Sequence, residues 1–157
     1  MSLHELGSSM SRSVISNQNI FEYAVSHSTP PDGVLRELID ETIESTGFAA
    51  GMQIGADQGA FMAILSGSLR PRFALEVGTF TGYSSICIAR GLAPEGKLLC
   101  CDVSEEWTDI AQRYWSKANL SDKIDLVLAP GAETLKNLPS EEAIDLAFID
   151  ADKGGYT

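Results

Sequence analysis

At 157 residues, 44% of them hydrophobic and 21% charged, the chain has the size and balance of one ordinary globular domain, which excludes a disordered tail and a fibrous repeat. Lys and Arg number 11 against 22 Asp and Glu, and the net charge of -11 repels phosphate backbones and anionic lipid rather than gathering them, which argues against general nucleic-acid affinity. The longest apolar runs, such as 143–149, are broken by Asp or Gly well short of the ~20 residues a membrane-spanning helix needs.

Residues 1–12 are rich in Ser and Gly, show no periodicity and no secretory-signal character, and read as a leader outside the fold, with Met1-Ser2-Leu3 resembling a cloning remnant. The domain is expected over 13–157. A short helical pattern over 15–27 places Ile20, Tyr23 and Ala24 on one face before Pro30-Pro31 stops it. Pro31 and Asp32 suit the first turn of a second helix, whose apolar stripe is Val34, Leu35, Leu38, Ile39 and Ile43 and whose end is Gly47. Asp57 is placed to cap a third helix carrying Phe61, Met62, Ile64 and Leu65. Roughly the first seventy residues are therefore read as helical decoration.

After Pro71 short apolar runs alternate with helices. Strands are expected at 73–77, 97–102, 124–128 and 144–149, and helices at 83–89, 105–118 and 133–138. The helix after Ser104 is the clearest, since Trp107, Ile110, Ala111, Tyr114, Trp115 and Ala118 recur at steps of three and four. Ser104 caps it, and Glu105 and Glu106 complement its dipole. Alternation of this kind means right-handed crossovers and a doubly wound, mostly parallel α/β sheet, with strand order 3-2-1-4. Cys87, Cys100 and Cys101 match no zinc or redox spacing, lie in apolar stretches, and read as reduced core residues of a cytoplasmic protein. His4 and His27 read as solvated rather than as ligands.

Two segments carry chemistry. Glu76-Val77-Gly78-Thr79-Phe80-Thr81-Gly82-Tyr83-Ser84 leaves the first strand and enters a helix, with glycine where the backbone turns sharply and lets a ligand approach. The spacing G-x-x-x-G lacks the central glycine of the dinucleotide fingerprint, so a purely structural turn stands beside the binding reading. Asp102, ending the second strand, suits a ribose-binding acid, with a turn acid next to the Ser104 cap as the plainer alternative. The second segment is Asp150-Ala151-Asp152-Lys153 at the carboxyl end of the fourth strand. In the order 3-2-1-4, Asp150 faces the 76–82 loop across the switch-point crevice. A hard cation takes oxygen ligands such as Asp150, and a desolvated lysine beside it loses its proton readily. A solvated turn with Asp152 capping and Lys153 paired to it is the competing reading.

With these residues assembled, the chain from Ile15 to Thr157 resembles the cation-dependent O-methyltransferases of the caffeoyl-coenzyme A and catechol type, which have a Rossmann-like class I fold and use S-adenosylmethionine. The carriers are Gly51-Met52-Gln53-Ile54, the segment Leu75 to Ser84, Cys101-Asp102-Val103, and Phe148-Ile149-Asp150-Ala151-Asp152-Lys153. The resemblance implies that Ile54, Gly78 and Thr79 line the adenosylmethionine site and that Glu76 with Ser84 holds its amino-acid end. It implies further that Asp102 and Val103 meet the ribose, that Asp150 borders the cofactor and is the first metal ligand, and that Lys153 stands beside the acceptor hydroxyl. Where the family commonly reads Gly-Pro-Ala after the third strand, this chain has Ala129-Pro130-Gly131; contacts to adenine there involve backbone, so Gly131 and Ala132 are the expected contacts. The family's other two metal ligands come from a later Asp-Asn pair, expected beyond Thr157.

The expected reaction is methyl transfer to a hydroxyl of a small catechol-like acceptor. It is an in-line displacement that needs a phenolate held near the methyl carbon. A divalent cation, Mg²⁺ first and Ca²⁺ or Mn²⁺ after it, lowers the phenol's pKa, and Lys153 takes the proton. A homodimer is what the resemblance implies for assembly. Three other readings are carried: methylation of a hydroxylated uridine in tRNA, a NAD-type dehydrogenase, and a non-catalytic S-adenosylmethionine-binding fragment.

Overall fold

The computed structural model describes residues 17–139, 143–152 and 154. Helix α1 (Gln18–His27) begins at Asn17, whose side chain accepts the N–H groups of Asn19 and Ile20. Helix α2 (Gly33–Thr46) begins at Asp32, which accepts the Leu35 N–H, and ends at Gly47 with φ +54. Asp32 is thus the cap itself and not a first-turn residue. A 3-10 turn (Gly47–Met52), absent from the sequence reading, leads to helix α3 (Ala56–Leu69). Then follow β1 (Phe73–Val77), α4 (Tyr83–Ala89), β2 (Lys97–Asp102), α5 (Glu105–Lys117), β3 (Ile124–Leu128), α6 (Gly131–Asn137) and β4 (Leu146–Ile149). Ser104 caps α5 as expected, its side chain accepting the Trp107 N–H.

The sheet has the order β3-β2-β1-β4 with every pair parallel. This is the expected Rossmann-like, doubly wound topology, with its switch point between β1 and β4. Asp145 pins β4 to the start of β1: its carboxylate accepts the N–H groups of Arg72 at 2.8 Å and Phe73 at 3.2 Å, which hold its pKa below the ordinary carboxylate range. The main core lies on one face, where Ala74, Leu98, Cys100 and Ile124 meet Leu38, Met62, Ile86 and Trp115 from the helices. On the other face Leu75, Val77 and Cys101 form a small second cluster. All three cysteines are buried and unbridged, and burial raises each thiol, that of Cys87 to about 12, so none is poised as a nucleophile.

Three helical faces differ from their expected ones. Ile20 and Tyr23 of α1 are exposed, and Phe21 with Ala24 makes the half-buried side. In α2, Thr42 is buried and Ile43 is half exposed. Asp57 does not cap α3; Gly55 does, with Asp57 in the first turn where its charge complements the helix dipole. The buried face of α3 is Gly59, Met62 and Ser66, while Phe61 and Ile64 face outward. The reason is close approach. A Cβ on Gly59 would lie 2.6 Å from the Tyr83 ring, and Ser66 Oγ donates to the Ile88 carbonyl at 2.7 Å. Small residues bring α3 against α4, and larger ones on that face would push the helices apart.

Candidate cofactor site

The glycine loop leaves β1 at the centre of the sheet and is held from three directions. Gly78 has φ +94, and a Cβ there would lie 2.8 Å from the backbone of Asp150 and Ala151, so only glycine lets the ends of β1 and β4 come together. The Asp150 N–H donates to Val77 O at 2.8 Å, which fixes the first residue after β4 beside the loop. Asp150 thus lies directly beside the loop, at the strand end where the order 3-2-1-4 puts it.

From β2, Asp102 braces the loop. One carboxylate oxygen accepts the N–H groups of Thr79 at 2.9 Å and Phe80 at 2.8 Å, and the other accepts those of Val103 at 2.7 Å and Ser104 at 2.9 Å. The four in-plane acceptor directions of a carboxylate are therefore taken by backbone amides. A ribose hydroxyl arriving there shares an oxygen with an amide and does not find a vacant one, a brace that the sequence reading did not foresee. Phe80 is held at φ +53, an unusual conformation for a residue with a side chain, with its ring edge-on to Trp107 at 4.9 Å between centroids. From α2, Thr42 Oγ1 donates to Thr81 Oγ1 at 2.8 Å in a fully buried contact.

Glu76 is the most unusual group. It is fully buried on the helix-rich face of β1, opposite Cys100 in the β1–β2 register, and the Cys100 thiol donates to its Oε2 at 3.4 Å. Its Oε1 and the Thr79 hydroxyl are both buried with no hydrogen bond of good geometry, although Ser84 and Thr79 lie near enough to favour the charged carboxylate. Burial pushes its pKa up to about 7, against the opposing influence of Ser84, Cys100 and Thr79, and the negative charge of Asp102 adds to the rise. Ser84, in the first turn of α4, is itself 6% exposed. Orphaned buried oxygens are costly in a folded protein, and a ligand is one way to supply the missing partner. This donor-hungry pair at the loop fits a cationic amino-acid group, and so fits the amino-acid end of adenosylmethionine.

The other expected residues are spread around the same end of the sheet. Ile54 is half-buried against the main core. Val103 is 73% exposed and contributes its backbone N–H to Asp102. Gly131 starts α6, two residues earlier than the predicted helix, and a Cβ there would lie 2.4 Å from Val77 Cγ1. Glycine at that position lets α6 close on β1, and Ala132 beside it is exposed. Asp150 and Asp152 are exposed, and Asp152 accepts the Gly154 N–H at 3.3 Å, which is the turn-capping role of the plainer reading. Lys153 lies outside the described residues, as do residues 1–12 and the start of the first predicted helix. Among the described residues no three His, Cys, Asp or Glu side chains gather as a metal site, so Asp150 alone does not make one. No helix among them is long and apolar enough to cross a membrane.

Residues 25–157 match the model of a family described as O-methyltransferase. Among curated proteins, a probable caffeoyl-CoA O-methyltransferase 2 of Dictyostelium discoideum is 37% identical over 143 residues, covering 89% of this chain and 62% of its own length. A catechol O-methyltransferase of Mycobacterium tuberculosis is 35% identical over 100 residues, covering 64% of this chain and 45% of its own length. An O-methyltransferase of Bacillus cereus solved in complex with SAH superposes with a TM-score of 0.77 at 31% identity, covering 86% of this chain and 61% of that one. The chain thus spans about 62% of the length of the first of these relatives.

Proposed function

The chain belongs to the O-methyltransferase family, and we propose that the protein moves a methyl group from S-adenosylmethionine to a hydroxyl of a small catechol-like acceptor with the help of a divalent cation. The observation that carries the reading is Glu76. A fully buried carboxyl group with an unpartnered oxygen, at the foot of a loop braced by Asp102, is what an ammonium-bearing ligand requires. The B. cereus neighbour with bound SAH supports the same ligand class here.

In this reading Glu76, with Ser84 and Thr79, binds the amino-acid end and orients the sulfonium toward the acceptor. Gly78 lets the end of β4 close on the loop, and Gly131 lets α6 close on β1. S-adenosylmethionine supplies the electrophilic methyl carbon, and positioning within about 3 Å of the acceptor oxygen is the main contribution left to the protein. Lys153, three positions after Asp150 at the carboxyl end of β4, is assigned as the proton acceptor. Asp150 is assigned as one ligand of the cation. The described residues do not complete that ligand set, so no step is built on the cation. The net charge of -11 favours a small acceptor over tRNA.

The test is transfer of labelled methyl from S-adenosylmethionine by the full-length protein, with catechol, phenol and tRNA as acceptors, with and without a chelator. Chelator-sensitive transfer to catechol and not to phenol is expected. Binding of the cofactor with no transfer to any acceptor would contradict the reading.

A further inference from the structure

Glu76 occupies a closed environment. On β2 it faces the Cys100 thiol, with the Asp102 carboxylate further along the same strand. From α4 it faces Ser84, with the Cys87 thiol close enough to feel its charge, and from the loop it faces Thr79. On β4 its register partner is Phe148, which carries no charge. The Cys101 thiol also lies within reach of its charge. Among the described residues every titratable neighbour is thus a thiol or an acid. None of these groups supplies positive charge, so an ionised Glu76 has no cationic partner among the described residues.

We propose that docking of the cofactor's ammonium group expels a proton from Glu76, so that cofactor binding is itself a proton-release step. The inference rests on the reading of the glycine loop as the cofactor site. In the empty protein the carboxyl keeps its O–H. On binding, that O–H bond breaks, the proton leaves to the buffer, and the carboxylate formed pairs with the ammonium, which keeps its own protons. The raised pKa of about 7 places the exchange within the neutral range. Below it, each pH unit weakens binding by up to about tenfold, and above it the dependence disappears. Cys100 is a positioning residue for this exchange: its thiol hydrogen bond stabilises the ionised form and pulls the midpoint down.

The test is calorimetric titration of the full-length protein with S-adenosylhomocysteine, in pairs of buffers that differ in ionisation enthalpy. At pH 6 the ligand's amino group is fully protonated, since even the less basic α-amino group of a peptide has a pKa near 7.7–8.0, so any proton released comes from the protein. About one proton per ligand is expected at pH 6, falling toward none as the pH rises past 7. Glu76→Gln should bind without release, and Cys100→Ala should shift the half-release point to higher pH. Tight binding with no release at pH 6, release that survives in Glu76→Gln, or a midpoint that Cys100→Ala leaves in place would each overturn the proposal. A wild-type protein that shows no binding heat and no thermal shift with S-adenosylhomocysteine at any pH would instead overturn the assignment of the site.

Discussion

The carboxylate of Asp102 accepts the backbone N–H of Thr79 at 2.9 Å, so the acid that ends β2 holds in place the loop that ends β1. Three further amides share that carboxylate, so the protein's own hydrogen bonds hold the shape of the loop. Asp102→Ala strands four donors that must turn to water. A loss of about 2–4 kcal/mol in stability is expected, since hydrogen bonds to charged groups contribute about 1.5–3 kcal/mol each and water repairs part of the damage. Urea unfolding measures it, and a loss below a few tenths of a kcal/mol would show that the amides do not depend on the acid.

Thr42 and Thr81 give a second, smaller test, because they tie an N-terminal helix to the same loop through a buried hydroxyl pair. Thr42→Val leaves the Thr81 hydroxyl without its donor and should cost about 1–2 kcal/mol. Changing both residues to valine removes the mismatch and should recover part of that loss. Additive losses in the double-mutant cycle would contradict the coupling.

Gly78→Ala puts a methyl group against the Asp150 backbone at a φ that side chains rarely adopt. Strain of about 1–3 kcal/mol from the backbone alone is expected, with the clash in addition. The damage should concentrate where β4 meets β1. Hydrogen exchange at the Asp150 amide, which donates to Val77 O, should quicken more than exchange at Leu98 in the β2–β3 pair. Equal acceleration at both would argue for a general loss of stability.

Much of this arrangement was legible before the fold was known. The four strands and their order follow from apolar runs separated by helices, because a parallel crossover sheet leaves few topologies open. The glycine loop and Asp150 lie together because the ends of adjacent strands determine where they emerge. Helix faces were less legible. The face of α3 that packs is Gly59 and Ser66, which a count of large apolar side chains overlooks, and Thr42 is buried for its partner rather than for its hydrophobicity. The bracing role of Asp102 was hidden too, since a side chain that receives backbone amides leaves no trace in spacing. A Gly or Ser recurring at helical spacing opposite Phe61 and Ile64 was the available hint for α3.

Glu76 makes stability depend on pH in the opposite sense from a salt-bridged acid. Its folded pKa of about 7 lies above the ordinary 4.5, so the native state binds more protons than the unfolded state between those values. The protein should therefore lose stability as pH rises from about 5 to 7, and stay level in this respect above that. Glu76→Gln removes the effect, so the variant should melt increasingly above the wild type as pH rises. Melting curves of both at pH 5 and pH 8 would show it, and a constant gap would contradict the buried-acid account.

Asp150→Ala separates cation chemistry from cofactor binding. Chelator-sensitive methyl transfer should be lost, while affinity for S-adenosylhomocysteine stays within a few-fold of the wild type, because Asp102 and Thr42 brace the loop. Loss of both together, read by calorimetry, would make Asp150 a structural residue.

The central claim is where the cofactor sits, and amide NMR during a titration with S-adenosylhomocysteine tests it most directly. The largest shifts should fall on residues 76–84, on Asp102 and Val103, and on Gly131 and Ala132, with the outward residues of α3, Phe61 and Ile64, unmoved. Shifts centred away from the carboxyl ends of β1 and β2, or none at saturating ligand, would contradict the account.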